Sequence, residues 1–448
     1  MQLKHRKMKK YKTRTSSAKI TGALAGATCA LLGSPALHAS DSSDMGWKVD
    51  AAYLSYSEKN RVSASEPTIK LQKTFDDDSK LNLNLVLDTL TGASPNGAAP
   101  SSSAQTFTSP SGQGQYTAMP GKLPLDDTFH DTRAQFGAAW DAPINREWRY
   151  NIGFNVSAEH DYSSIGFNGG FSYAFNKKNS TLSLGLSFDD DSIKPEGGVP
   201  KPLSNMKYVG NPATRSGSND TKQVGDILIG WNQVINASTI MQFNLGLSKS
   251  SGYLNDPYKV VTIVDPITGE PVADGTFDTD GTTMDAIVYE NRPDTRFKKS
   301  IFWETKHHTF WGDTIDASYR YMTDDWGIKS HTIDFKYRWN FTDNMYLQPD
   351  MRWYTQTAAD FYHHNLTAAP LPGQYMSADY RLSKFDATTF GIKYGYIFSN
   401  DSEINIRVEN YKQKGTVSST DIVGAQKRYD TGTDLNAMVF QIGYSFSF

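Results

Sequence analysis

The last eleven residues, Met438-Val439-Phe440-Gln441-Ile442-Gly443-Tyr444-Ser445-Phe446-Ser447-Phe448, carry an apolar or aromatic side chain at every even position. The odd positions are mostly small or polar. Successive side chains of a β-strand point to opposite faces, so this spacing makes one apolar face and one polar face. One strand of a soluble sandwich shows the same alternation. Six large apolar residues in line, ending on Phe448, make a taller apolar face than such a strand usually presents.

The same dyad recurs along the chain. It is seen at Leu81, Leu83, Leu85 and Leu87, at Ala134 to Trp140, at Tyr150 to Val156, at Leu182 to Phe188, at Met241 to Leu247, at Ile333 to Phe341 and at Ile404 to Val408. In water, so bulky a face needs a second sheet to cover it; in a bilayer, lipid covers it. A helical membrane protein is excluded: only 38% of the 448 residues are hydrophobic and the mean hydropathy is −0.53. Apart from one broken run near the start, no stretch approaches the roughly 20 apolar residues of a spanning helix. An aromatic content of 12% is too high for a disordered chain.

Strands are expected at 46–58, 66–75, 81–91, 130–142, 148–160, 162–176, 180–189, 222–234, 238–250, 295–310, 313–323, 327–341, 345–357, 382–399, 402–411 and 433–448. That makes an all-β fold: a single transmembrane antiparallel β-barrel of about 16 strands, with 14–18 compatible with the pattern. Even-numbered connections are tight, at 76–80, 143–147, 177–179, 235–237, 311–312, 342–344 and 400–401. Every long connection is odd-numbered: 92–129, 190–221, 251–294, 358–381 and 412–432. Short turns on the periplasmic side and long loops outside imply that both termini are periplasmic. Trp47, Trp140, Trp148, Trp231, Trp311 and Trp339 fall near the short turns or the N-terminus, where indoles favour a lipid–water interface. In the loop 251–294, Lys259-Val260-Val261-Thr262-Ile263-Val264 before Asp265-Pro266-Ile267-Thr268-Gly269 suggests a small hairpin that folds over the mouth or into the lumen.

The first 39 residues read as a cleaved secretory signal. Residues 1–19 hold eight Lys or Arg and no acid, Ile20 to Leu32 is apolar, and cleavage is expected after Ala39. Residues before Cys29 lack the Leu of a lipobox, so no lipid anchor is assigned. The remaining residues, 40–448, form the barrel and its loops. With eight of the 45 basic residues and none of the 48 acidic ones removed, they are acidic and contain no cysteine. Stability cannot rest on disulfides, and an acidic extracytoplasmic chain is a poor nucleic-acid binder. The expected location is the outer membrane of a Gram-negative bacterium, reached by Sec-type export.

Candidate functional residues are charges. Lys298, Glu304, Lys306, Asp316, Arg320, Asp334, Lys336, Arg338, Asp350, Arg352, Arg407 and Glu409 occupy positions between the apolar ones and should face the lumen. There they either set solute selectivity or pair across neighbouring strands, and their mixed signs argue against a simple anion or cation pore. Arg292, Asp294, Arg296, Asp379 and Arg381 lie where two long loops re-enter strands and are candidates for a charge network at the mouth. Pro293 suits a fixed corner there.

Metal and catalytic readings are weaker. The pairs His307-His308 and His363-His364 are adjacent on the chain and on a strand would point to opposite faces. Asp278-Thr279-Asp280-Gly281 lacks the remaining ligands of a calcium loop, and Asp76 to Asp78 and Asp189 to Asp191 read as solvated turns. His331 shares the lipid-facing parity of Ile333, but no serine stands two residues away to complete a hydrolytic set. No enzyme, cofactor or metal is therefore expected.

Four segments carry a family resemblance. Val86-Leu87-Asp88-Thr89-Leu90-Thr91-Gly92-Ala93-Ser94-Pro95-Asn96-Gly97-Ala98, Asn255-Asp256-Pro257-Tyr258-Lys259, Glu290-Asn291-Arg292-Pro293-Asp294 and Ala378-Asp379-Tyr380-Arg381-Leu382-Ser383 resemble the bacterial family catalogued as domain of unknown function 3570. The resemblance implies an outer-membrane barrel without an established activity, and a link to periplasmic flavin-transfer and thioredoxin-like proteins. The C-terminal strand likewise resembles the segment by which barrel-assembly machinery recognises its substrates. Expected partners are outer-membrane lipid, that machinery through the strand ending in Phe448, and periplasmic redox proteins. Two functions fit: a channel or transporter with a polar lumen, or a non-conducting barrel that serves as a scaffold in a redox system.

Overall fold

The computed structural model describes residues 46–108, 115–206, 214–277 and 283–448. The signal segment and the Asp278 run lie outside the described residues. Sixteen antiparallel strands close into one barrel. They are β1 (Trp47–Glu58), β2 (Val62–Thr74), β3 (Lys80–Pro95), β4 (Leu125–Pro143), β5 (Trp148–Ala158), β6 (Tyr162–Phe175), β7 (Ser180–Ile193) and β8 (Asp220–Asn236). The second half is β9 (Thr239–Gly252), β10 (Thr295–His308), β11 (Thr314–Asp324), β12 (Lys329–Asn340), β13 (Met345–Gln356), β14 (Lys384–Ile397), β15 (Glu403–Thr416) and β16 (Leu435–Ser447). Each strand pairs with its sequence neighbours, and β16 pairs with β1 from Ala437 opposite Glu58 to Ser447 opposite Lys48. No strand edge is left in the barrel wall, so the backbone polar groups of the strands pair within the sheet rather than with water.

Alternation decides which side chains face out. Ile165, Phe167 and Phe171 of β6 and Leu182, Leu184, Leu186 and Phe188 of β7 are 44–61% exposed. Register sets them side by side: Phe167 lies opposite Phe154 on β5 and Phe188 on β7, and Leu186 opposite Ile227 on β8. An apolar belt exposed on this scale is stable only against lipid. Trp148, Trp231, Trp311 and Trp339 are exposed toward the short-turn end, the position of an interfacial aromatic girdle.

The strand count and the alternation of short and long connections match the expectation from sequence. Several boundaries move. β3 runs to Pro95 and β4 starts at Leu125, across a register shift between Gly92 and Ser94, so the loop 92–129 is shorter than its composition suggests. Gly92 has φ +118°, and a Cβ there would collide with the Arg61 carbonyl oxygen; only glycine fits that bulge. β7 extends to Ile193 and β15 to Thr416, which shortens the loops 190–221 and 412–432. β14 begins at Lys384, because Asp379 caps a 3-10 turn, Tyr380–Leu382, just before it.

The long loops fold onto one another. Gln105–Thr108 and Gln115–Ala118 form a hairpin whose Phe107 and Tyr116 pack with Val260, Ile287 and Tyr289. The hairpin expected in 251–294 turns at Asp265–Gly269, with Val264 bridging Pro271, while Val260–Thr262 pair instead with Ile287–Tyr289 in a two-stranded sheet. The other face of that sheet, Val261 and Val288, packs on Leu366, Met376 and Ala378 of the next long loop. Trp326 and Ile328, in the tight β11–β12 turn, join Phe361, Tyr362 and Leu382. Gln426 of the last loop donates to the Pro100 and Gly269 carbonyls, at 2.8 Å each. The result is a cap with small cores of its own at the long-loop end of the barrel.

A cation in the belt tests the lipid-facing assignment. Phe167→Arg should cost about 2–4 kcal/mol in bilayer refolding. Ser172→Arg, on the alternate face of the same strand, should cost much less when measured by the same urea titration.

Candidate functional site in the loop cap

Three of the segments that carry the family resemblance meet in the cap. Asp256 and Lys259 come from one, Glu290 and Arg292 from the second, and Asp379 and Arg381 from the third. The Arg292 guanidinium donates through Nη2 to Asp379 Oδ2 and Glu290 Oε2, both at 2.9 Å. Arg381 Nε donates to both oxygens of Asp379 at 2.9 Å, and its Nη2 reaches Asp256 Oδ2 at 3.1 Å. The Ser377 hydroxyl donates to Glu290, and the Asp379 N–H donates to Ser377 Oγ at 3.1 Å. Lys259 Nζ donates to the Pro95 carbonyl, which ties in the end of β3. Three carboxylates thus meet three cations, with Asp256, Lys259, Glu290 and Asp379 all buried.

Burial penalises each of these charges, and the neighbours decide the outcome. The Asp379 carboxyl is desolvated, yet Arg381, Lys259 and Arg292 hold it well below the usual carboxylate range. The Glu290 carboxyl goes the other way: burial pushes it up, and Arg292 offsets only part of that. Burial also pushes the Lys259 ammonium down, with Asp379 partly restoring it. Such a cluster is worth little as net stability, but removing one partner strands the other charges in a dry site.

The network enters the barrel mouth through Tyr380. Its ring lies beneath Arg61 and Lys259, whose charged groups stand 5.9 Å from its centroid. Gln356 at the end of β13 donates to the Arg381 and Ser383 carbonyls at 3.0 and 2.7 Å, pinning the 3-10 turn to the wall.

Of the five mouth residues expected from sequence, Arg292, Asp379 and Arg381 come together, while Asp294 and Arg296 go elsewhere. The Asp294 side chain is exposed, and its carbonyl accepts from Gly252 at 2.9 Å. Arg296 is already in β10; it pairs with Asp324 at 2.5 Å and stacks on Trp326 with its Cζ 4.4 Å from the ring centroid. The corner at Pro293 separates the two directions. Asp256, Lys259 and Glu290 were not nominated as mouth charges, although the motif segments contained them.

The lumen-facing charges pair both along and across the strands. Lys306 lies 3.3 Å from Glu304 and 3.9 Å from Asp316, Arg352 is 3.7 Å from Asp334, and Arg407 is 3.1 Å from Glu409. Lys336 stands opposite Asp316 and Asp350 in register, and Lys298 opposite Asp324. Arg320 lies over Phe302 and Arg338 over Tyr346, with guanidinium-to-centroid distances of 5.4 and 3.6 Å. The Tyr346 hydroxyl donates to Glu403, 3.7 Å from Lys393.

The paired histidines separate. His307 accompanies Thr239 and His308 Thr314 at the barrel wall. His363 Nδ1 lies 3.5 Å from Asp421 Oδ2, and its pKa is raised mainly by that contact. His364 is buried and its pKa falls to about 4 through desolvation. His331 faces outward, its Nδ1 2.8 Å from the Tyr319 hydroxyl.

The fold and cap define a large transmembrane β-barrel whose long loops pack over one mouth. The chain belongs to the family described as protein of unknown function DUF3570, which it matches over residues 21–446. No curated protein matches it. Solved structures it is similar to include the ferric enterobactin receptor PfeA of Pseudomonas aeruginosa (8% identity, TM-score 0.40), where the alignment covers 83% of this chain and 54% of the receptor. The chain thus spans about half the length of that receptor. Others are OccK2 (OpdF) of Pseudomonas aeruginosa, at 9% identity, TM-score 0.40 and 90% and 97% coverage, and a bacterial polysaccharide outer membrane secretin, at 7%, 0.43, 90% and 99%.

Asp379→Ala should loosen the cap by about 3–5 kcal/mol, the cost of breaking a buried ion pair. Limited proteolysis should then cut within 253–294 and 357–383, while heat-modifiable migration of the barrel on gels stays unchanged. His364 gives a second handle. Its folded pKa lies below the ordinary histidine value, so opened loops bind more protons between pH 6.5 and about 4, and cap stability should fall as pH falls through that window. The pH dependence of loop cleavage there should flatten in His364→Asn.

Proposed function

We propose that the protein is an outer-membrane channel or transporter of a Gram-negative bacterium, with long loops outside, both ends of the barrel periplasmic, and passage controlled by the loop cap. The observation that carries this reading is a lumen lined by exposed charges beneath a cap clamped by buried ones. Asp334 and Arg352 keep 26% and 52% of their side chains exposed inside the wall, whereas Asp379 and Glu290 in the cap keep 1%. Solvent-accessible space lined by paired charges of both signs suits a polar solute. A three-cation, three-carboxylate clamp suits a two-state element, because removing any one ion strands its partners.

His331 has a tyrosine, not a serine, as its outward partner. A second reading is supported by the small cores of the cap: the loops are a permanent plug, and the barrel serves as a scaffold for periplasmic redox proteins.

Single-channel recording in planar bilayers separates the two. In a gated channel, wild-type protein conducts rarely, and Arg292→Ala and Arg381→Ala each raise open probability by roughly tenfold, about 1.4 kcal/mol taken from the closed state. Silence in wild type and both variants, together with co-purification of a periplasmic redox protein, would replace the channel by the scaffold.

A further inference from the structure

A cavity of about 920 Å³ opens at the long-loop end, between strands β14, β15 and β16, the β1–β2 turn, and the overhanging segments 121–125 and 430–434. Of the strand residues that line it, those at even positions lie on the outward parity, whereas Ala387, Gln413 and Leu435 lie on the inward one and are buried. Phe390 and Ile392 on β14, Ile406 and Val408 on β15, and Met438 and Phe440 on β16 are all exposed belt residues at even positions. Lys412, Lys414, Asp386, Thr388 and Asn436 share that parity on the same unbroken strands. Register joins them laterally: Thr388 opposite Lys412, Lys412 opposite Asn436, and the Lys59 N–H donating to the Asn436 carbonyl at 2.9 Å.

The charge here runs against that of the chain. Lys59, Arg61, Lys122, Lys412 and Lys414 line the cavity against three acids, Asp386, Asp430 and Asp434. Two of those acids already accept backbone hydrogen bonds, Asp430 from Gly432 and Asp434 from Gly415, at 2.9 Å each. Among the described residues, none of the four lysines has an acidic partner within 4 Å. Arg61 is committed elsewhere, donating to the Gly432 carbonyl at 2.9 Å. Lys249, Lys299 and Lys329 are also exposed near this end on β9, β10 and β12.

Height is the second observation. One outward row below Lys412 and Asn436 come Asn410 and Met438, and below those Val408 and Phe440. Each row is about 7 Å, so the ammoniums hang just above the hydrocarbon-facing belt, at the level of lipid headgroups.

We propose that this cavity binds the headgroup of a phosphorylated glycolipid from the surrounding leaflet, with Lys59, Lys412 and Lys414 taking its phosphate and Met438 and Phe440 its acyl chains. The volume lies near the top of the range for small-molecule sites, more than one glycerophosphate fills. Asn60, Asn436 and Thr388 offer amide and hydroxyl groups suited to sugar hydroxyls. The inference rests on the membrane-barrel reading and adds a ligand to its outer wall.

Binding of bisphosphorylated lipid A to detergent-solubilised full-length protein, followed by native mass spectrometry, tests it. Dephosphorylated lipid A and phosphatidylglycerol serve as competitors. The expected result is binding of the bisphosphorylated form at least about tenfold tighter than either competitor, with the preference lost in the Lys412→Gln/Lys414→Gln double variant and retained in Lys73→Gln at the opposite end. Equal binding of the dephosphorylated form, or an unaffected double variant, would overturn the site. Equal binding of phosphatidylglycerol would overturn the glycolipid assignment. Vesicle insertion and heat-modifiable migration are checked on the same protein. If insertion fails, the membrane-barrel reading is lost; if insertion succeeds without lipid discrimination, only this site is.

Discussion

Everything in this molecule depends on the pairing of β16 with β1. A sheet whose outer face is Leu, Ile, Phe and Trp can live only in hydrocarbon, and hydrocarbon offers no partner for a free strand edge. Eleven residue pairs from Glu58–Ala437 to Lys48–Ser447 close that edge. Closure fixes the number of strands, and with it the width of the mouth that the loops must cover. It also turns a two-residue alternation into a global sorting rule: one parity meets lipid, the other meets the lumen.

The cap inverts this economy. In the wall, charges stay near water and pair loosely along the strands; in the cap, Asp256, Glu290 and Asp379 are dry and held by guanidiniums and an ammonium. Dry charges of both signs are a poor source of stability but a sharp source of specificity, because few arrangements satisfy six ions at once. Segments more than a hundred residues apart are thereby held in one arrangement.

The barrel was legible because its signal is periodic. Dyads such as Leu182 to Phe188 repeat wherever a strand crosses, and the parity of connections checks the count independently. The cap has no period. Phe107, Tyr116 and Leu366 stand singly among small and polar residues, so loop 92–129 reads as polar although it contributes a core. Arg292, Asp379 and Arg381 could be nominated from their places at loop–strand junctions. Asp294 and Arg296 were grouped with them by closeness in sequence, whereas a proline corner and the start of β10 direct them away from the cap. The outward cavity at Lys412 and Lys414 escaped sequence reasoning altogether, because its walls come from both ends of the chain.

The scattered origin of the cap has a consequence for how the chain reaches its final form. Its pieces come from residues 96–108, 115–124, 194–206, 214–219, 253–277, 283–294, 357–383 and 417–434, and its long-range hydrogen bonds join pairs such as Gln426 with Pro100 and Lys259 with Pro95. Each of its three larger cores joins residues from more than one segment, so no segment completes a core alone. Only when the wall has drawn the loop ends together does the entropic cost of meeting become small. The six ions therefore remain hydrated until the last stage of assembly, and the desolvation penalty falls after the transmembrane region is complete. A chain that stalls before closure presents soluble, charged loops rather than half-buried ones, which keeps the unfinished intermediate from collapsing onto its own polar segments.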